Sequence, residues 1–229
     1  MNRFLFLTAL LLFAVTVSTQ QPAPRPVPED HRPPVFLRET WKDPEIQERK
    51  VVQSDVVSPQ LVLTLYGPST IDVRIVKHTS PKDDPSYIWS GSSPQPWALT
   101  LKDREHYVDL SGPVAKIHWR TKQAGFNLLR PVLKLPDGRF LVGDYTEGYT
   151  GDWRETEFSL AAVRWRELDS TNVVTERRQP AWATNVDLSK VDEVGFTDLV
   201  RGSGGGAGGG SRVDWIEVYG HPIPRSATR

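Results

Sequence analysis

From residue 51 onward the chain is cut into short apolar and β-branched runs, with Gly, Pro, Asp or Asn interrupting roughly every 8 to 12 residues. The runs read LVLTLYG, TIDVRIVK, YIWSG, WALTLK, HYVDL, VAKIHWRTK, FNLLRPVLKL, RFLVGDY, TEFSLAAVRW, VDEVGFTDL and RVDWIEVYG. No helical period is sustained through them. Strands this short bury their apolar faces only by stacking sheet on sheet or closing one sheet on itself, so an all-β sandwich or barrel is expected. LPDGRF predicts a tight hairpin, because Pro-Asp-Gly suits a turn followed by a left-handed glycine.

Alternation within the runs assigns faces. In AKIHWRTK, Ala115, Ile117 and Trp119 share one face, and Lys116, His118 and Arg120 share the other. In RVDWIEVYG, strict alternation predicts Asp214, Ile216 and Val218 on one face, opposite Val213, Trp215, Glu217 and Tyr219. Such strands belong to sheets with one core face and one solvent or ligand face.

The N-terminal part differs in kind. Met1-Asn2-Arg3 precedes the apolar run FLFLTALLLFAVTV, and STQQPAP follows it. This pattern reads as a signal peptide over residues 1–20, cut near Thr19 or Gln20, and implies a secreted, periplasmic or extracellular protein. The run is shorter than the roughly 20 apolar residues that span a bilayer, so no membrane insertion of the mature protein is expected. Residues 21–36 form a proline-rich tether, since PAPRPVPEDHRPP favours extended chain. Residues 37–50 are expected as an irregular or short helical arm, 51–224 as the β domain and 225–229 as a tail.

The chain has no cysteine, which excludes disulfides, zinc-thiolate sites and thiol nucleophiles. The domain therefore depends on its hydrophobic core, for which its length suffices. With 28 basic and 28 acidic residues, it lacks the basic footprint that nucleic acid requires.

At the C-terminal end the pattern becomes more specific. NVDLSKVDEVGFTDL followed by SRVDWIEVYG resembles the closing strands of galactose-binding-domain-like β-jelly rolls, with WRETEFSLAAVRW similar to the strand leading into them. That group includes several carbohydrate-binding module families and the complex I intermediate-associated family. The resemblance covers mainly residues 150–220 and implies a β-jelly-roll sandwich of two antiparallel sheets. It also implies a saccharide as partner, with no cofactor required. In many relatives the aspartate of the last strand helps to hold a structural calcium. Asp214 matches that position, and Asp55 is a candidate partner by location.

The best candidate for a site is GDYTEGYTGDWRETEF. Asp144, Tyr145, Glu147, Tyr149 and Trp153 combine flat aromatic faces for sugar C–H surfaces with carboxylates for hydroxyls, in a loop between strands. Catalysis would need two carboxylates on one glycosidic bond, and Glu147 with Asp152 or Glu155 is the candidate pair. His118 and Arg120 project together, and Arg130 is a candidate to join them in a basic strip suited to an acidic ligand. Trp89 or Trp97 would add an exposed stacking platform. Histidine spacing for a metal and a serine-nucleophile elbow are both missing.

The run GGGAGGG satisfies G-x-G-x-x-G, but a strand follows it where a dinucleotide site needs a helix. It is expected as the tip of a hairpin joining VGFTDL to RVDWIEVYG, with Arg201 and Arg212 at its ends as candidates to close over a ligand. The leading functional expectation is a non-catalytic glycan-binding protein. The alternatives are a glycoside hydrolase or polysaccharide lyase, and a periplasmic or cell-surface interaction protein without a small ligand.

Overall fold

The structure, a computed structural model, describes residues 32–91, 93, 96–125, 127–169, 181–198 and 210–225. The expected signal peptide, the tether through residue 31, residues 199–209 with Arg201 and most of the glycine run, and residues 226–229 lie outside the described residues.

The described strands are, in chain order, β1 (Val35–Glu39), β2 (Glu48–Lys50), β3 (Leu61–Tyr66), β4 (Arg74–Val76) and β5 (Tyr87–Trp89). Then come β6 (Ala98–Asp103), β7 (His106–Asp109), β8 (Lys116–Ala124), β9 (Leu129–Lys134) and β10 (Phe140–Gly143). The last five are β11 (Arg154–Ser159), β12 (Trp165–Glu167), β13 (Glu193–Asp198), β14 (Gly210–Tyr219) and β15 (His221–Pro224). One sheet has the order β11-β8-β14-β5-β4-β2, with β1 also paired to β14; the other has the order β12-β10-β9-β13-β6-β3. Strands β7 and β15 form a separate ribbon. Every pairing is antiparallel, and the two sheets make a jelly-roll sandwich.

The core lies where the inward residues of both sheets meet. Ile117 and Trp119 of β8 and Ile216 and Val218 of β14 share it with Leu99, Leu133 and Phe196 of the other sheet. The expected hairpin at LPDGRF is present: β9 pairs with β10, and Gly138 sits at φ +91° in the turn. TEFSLAAVRW is not one strand. A 3-10 turn at Leu160–Ala162 divides it, and its halves β11 and β12 belong to different sheets. Likewise Pro68–Ile71 forms a 3-10 turn, which leaves TIDVRIVK only the short strand β4.

The glycine run corrects the expectation of a hairpin. Strand β13 is already paired on both edges, to β6 and β9, and is buried along its length. It has no free edge for β14, which lies in the other sheet between β8 on one side and β5 and β1 on the other. Strands β13 and β14 therefore do not form a hairpin.

The arm at 37–50 also departs from expectation, and the tether yields Val35 and Phe36 to β1. Strand β1 adds to β14 and β2 adds to β4, with irregular chain between them. Buried charge holds this arm in place. The Glu39 carboxylate accepts the backbone N–H groups of Trp41, Val57 and Ser58, and the Trp41 indole N–H donates to the Val213 carbonyl. A buried carboxylate is tolerated only when its oxygens are satisfied in this way.

Candidate functional site

The outer face of the seven-stranded sheet begins with alternation in β8, whose residues 117, 119, 121 and 123 are buried while Lys116, His118, Arg120 and Lys122 are half-buried on the outside. In β14 strict alternation fails. The register against β8 shifts between Val213 and Trp215, so Asp214 and Trp215 together oppose Arg120. A β-bulge of this kind re-aims a side chain. Val213 joins Ile216 and Val218 in the core, and Asp214 turns outward with its Oδ2 2.6 Å from Arg120 Nη1. Burial raises the Asp214 carboxyl above its ordinary value, and Arg120 opposes the rise.

The rest of this face is a lattice of charge pairs and rings. His118 Nδ1 lies 3.3 Å from Glu217 Oε2, and its ring meets Trp215 edge-on at 4.6 Å. Glu217 also accepts the Tyr219 hydroxyl and pairs with Arg38 at 3.1 Å. The Arg120 guanidinium sits over the Trp153 ring at 5.3 Å.

Next to Trp153 the face opens into a cleft of about 270 Å³. Its aromatic lining is Tyr87, Tyr149 and Trp153, its charged lining is Asp84, Lys122 and Arg212, and His78 also lines it. Tyr87 comes from β5 and Arg212 from β14, paired across Trp89 and Ile88, so the sheet itself sets the floor. The wall is a hydrogen-bonded frame. Asp84 Oδ2 lies 2.8 Å from His78 Nδ1, Asp84 Oδ1 accepts the Trp153 indole N–H at 3.4 Å, and the Tyr87 hydroxyl lies 3.3 Å from His78 Nε2. Trp153 and Tyr87 meet edge-on at 5.3 Å. Burial raises the Tyr87 phenol, against the lowering effect of Arg212. Opposite this wall, Thr150 Oγ1 accepts the Gln123 backbone N–H, which fixes the loop carrying Tyr149. Tyr149 itself is 74 % exposed. The lining thus offers ring faces, cations and oriented hydrogen-bonding groups at one opening.

Of the residues expected at a site, Tyr149 and Trp153 are brought together here, and Arg212 joins them. Asp152 stands nearby on the surface, 3.8 Å from Lys122, with its side chain 86 % exposed. Asp144, Tyr145 and Glu147 are not on this face. Asp144 pairs with Arg164; Tyr145 stacks on Phe158 at 3.7 Å against the core; Glu147 is 3 % exposed and accepts the Tyr145 hydroxyl. Backbone bonds between Glu147 and Leu129 pull this part of the loop inward. Glu147 is thereby shut away from Asp152 and Glu155, which is exposed on β11. The candidate catalytic pairs are not presented to one bond.

His118 and Arg120 do project together, but each is engaged with an acid of β14. Arg130 lies on β9 in the other sheet and does not join them. Trp97 is in the core against Phe196, and Trp89 is half-buried in β5. The two aspartates proposed for calcium are committed to different arginines, Asp55 to Arg49 and Asp214 to Arg120. Among the described residues no group of three or more His, Asp or Glu is placed to hold a metal.

Sequence reasoning missed His78, Asp84, Tyr87 and Lys122. Lys122 had a signal, because it continues the outward alternation of His118 and Arg120 by one step. The other three come from chain more than thirty residues earlier in sequence and reach the cleft only through the pairing of β5 with β14.

No family model matches this chain, and no curated protein does. Among solved structures, it is similar to a family 11 carbohydrate-binding module from Clostridium thermocellum in complex with a β-1,3-1,4-mixed-linked tetrasaccharide. The identity is 15 %, with 78 % of this chain and 98 % of that chain covered and a TM-score of 0.45. A second structure, the family 11 carbohydrate-binding module of the cellulosomal cellulase Lic26A-Cel5E of Clostridium thermocellum, has 12 % identity. It covers 71 % of this chain and 84 % of that chain, with a TM-score of 0.40.

Proposed function

We propose that this chain is a secreted, non-catalytic carbohydrate-binding protein that holds a saccharide at the cleft beside Tyr149 and Trp153. The observation that carries the proposal is Tyr149, a large ring held 74 % exposed at the mouth of a cleft whose other groups are already oriented by Asp84 and His78. An exposed ring beside convergent polar groups is the usual composition of a small-ligand site. Sugars suit it because they present an apolar C–H face to a ring and hydroxyls to the groups around it. Secretion rests on the N-terminal sequence, and among the described residues no helix is long and apolar enough to cross a membrane.

The test is retention on insoluble polysaccharides together with a reducing-end assay. The wild-type protein is expected to be retained and to release no new ends. Tyr149→Ala and Trp153→Ala are expected to lose retention while keeping the fold by circular dichroism. Retention unchanged in both variants would refute this site, and steady product release would refute the non-catalytic reading.

A further inference from the structure

Strand β14 is supported unevenly along the edge it turns away from β8. There β5 pairs with Arg212 and Val213, β1 pairs with β14 between Ile216 and Tyr219, and Asp214 and Trp215 fall between the two ladders. That gap coincides with the bulge. Trp41 reaches it. The residue lies two positions after Glu39, the β1 partner of Ile216, and its indole N–H donates to the Val213 carbonyl at 3.1 Å. The contact is made at a cost in backbone strain. Trp41 is 4 % exposed and has φ +54°, and the other non-glycine residue with positive φ among the described residues is Asn185. Asparagine tolerates that region, whereas a bulky side chain persists in it only where its surroundings over-determine it. Here they do: the Glu39 carboxylate accepts the Trp41 N–H, and the next N–H, that of Lys42, donates to the Asp55 carbonyl.

The bulge has a consequence on the outer face of the sheet. Strict alternation would put only one of two consecutive residues outside, but at the bulge Asp214 and Trp215 both engage outward residues of β8. Asp214 holds Arg120 at 2.6 Å, Trp215 meets the His118 ring, and the Arg120 guanidinium sits over the Trp153 ring in the cleft. We infer that Trp41 is a positioning residue of the cleft: its indole, seated in the gap between β5 and β1, holds the bulge of β14, and the bulge holds Asp214 and Arg120 on Trp153. This rests on the saccharide-binding reading above and adds to that site a residue of the N-terminal arm. Trp41 belongs to the core and does not line the cleft. It acts through contacts in series, from its indole to Val213, from Asp214 to Arg120 and from Arg120 to Trp153.

The experiment follows the Trp153 indole N–H by heteronuclear NMR on the purified protein, its cross-peak being the one that disappears in Trp153→Phe. Trp41→Phe keeps a ring in the gap and removes the donor to Val213. It is expected to move the Trp153 cross-peak by more than its linewidth while leaving that of Trp97, which packs on Phe196 in the core, in place. Trp41→His, a smaller ring that keeps an N–H to donate, is expected to return the cross-peak part of the way. Glu39→Gln loosens the turn without touching the Trp41 ring, so it covers the case in which Trp41→Phe fails to fold and should move the cross-peak in the same direction. Gly195→Ala, a destabilising change in the other sheet, should leave it where it is. In an Asp214→Ala background, Trp41→Phe is expected to have almost no further effect, because the series is already cut. Retention of Trp41→Phe on insoluble polysaccharides should be about threefold to tenfold weaker than that of the wild type.

A Trp153 cross-peak unmoved in both Trp41→Phe and Glu39→Gln would overturn the positioning role and leave the saccharide site standing. An effect that persists in full when Asp214 is already alanine would overturn the route through the bulge. Movement of the Trp97 and Trp153 cross-peaks together, or an equal shift in Gly195→Ala, would reduce Trp41 to a general core residue. Wild-type retention by Trp41→Phe despite a displaced Trp153 would overturn its part in binding. The resonance readout needs no saccharide, so its failure is distinct from a failure of the saccharide reading.

Discussion

The outer faces of the two sheets treat polar groups in opposite ways. On the six-stranded sheet, Glu193 is 4 % exposed and accepts from the Tyr66 hydroxyl, the Thr100 hydroxyl and Lys134 Nζ. Lys134 in turn donates to Tyr66, so the network closes on itself. Apolar side chains surround it: Ala98, Val132, Val142 and Leu168, with Tyr66 and Phe140 packed against them. On the seven-stranded sheet the charge pairs run out to an open cleft, where the Tyr149 ring is mostly exposed. A closed network specifies packing, whereas an open one has capacity left for a ligand. Buried polar groups are thus no guide to function until it is known whether their bonds are already spent.

The contrast is broken most sharply at Glu193. Glu193→Ala leaves Lys134 and Tyr66 without their shared acceptor, and is expected to cost about 3 to 5 kcal/mol in urea unfolding while leaving saccharide affinity unchanged. A loss of affinity at full stability would reverse the roles assigned to the two faces. Gly195 comes next, because a Cβ there would lie 1.9 Å from the Leu99 carbonyl oxygen across the β13–β6 pair. Gly195→Ala is expected to destabilise by about 1 to 3 kcal/mol, again with binding intact in the folded fraction.

On the other face the balance inverts. Tyr149→Ala should change stability by no more than about 0.5 kcal/mol, since its ring is mostly exposed, yet weaken saccharide binding. Thermal melting and calorimetry on the same sample separate the two effects, and a drop in melting temperature without loss of binding would make Tyr149 structural.

The smallest effect is a pH dependence at Asp214. Burial raises its carboxyl, with repulsion from Asp84 and Glu155 adding to the rise and Arg120 opposing it. A carboxyl raised in the folded state binds its proton more tightly there than in the unfolded chain. The contribution is therefore fully present below the unfolded value of about 3.9 and is lost as pH rises through the folded one. Asp214→Asn should flatten that part of the stability profile, measured by urea unfolding across the acid range. An unchanged profile would assign the pH dependence to other carboxyls.

Much of the fold was legible because it depends on local pattern. Alternation in AKIHWRTK named the inward and outward residues of β8, and Pro-Asp-Gly named the β9–β10 turn. Less of the site was legible. Tyr149 and Trp153, expected in one site, do line one cleft, but the same aromatic-acidic loop contributes Tyr145 and Glu147 to the interior. Composition alone cannot separate the two halves. The division is made by the backbone bridge between Glu147 and Leu129, which is a contact between strands and not a property of the loop. The bulge at Asp214 was equally hidden, since RVDWIEVYG alternates well enough on paper to suggest the wrong face.

The sequence by itself determined the class: short runs punctuated by turn residues, without cysteine, must bury themselves as packed sheets. It also determined which face of β8 would carry charge, because a strand's two-residue period is local. Tertiary structure alone decided the partners. Strand β13 had both edges filled, so β14 crossed to the other sheet and brought Arg212 beside Lys122 and Tyr87. Edge pairing depends on which strand arrives where, and no short stretch of sequence records that. The cleft exists because of that crossing.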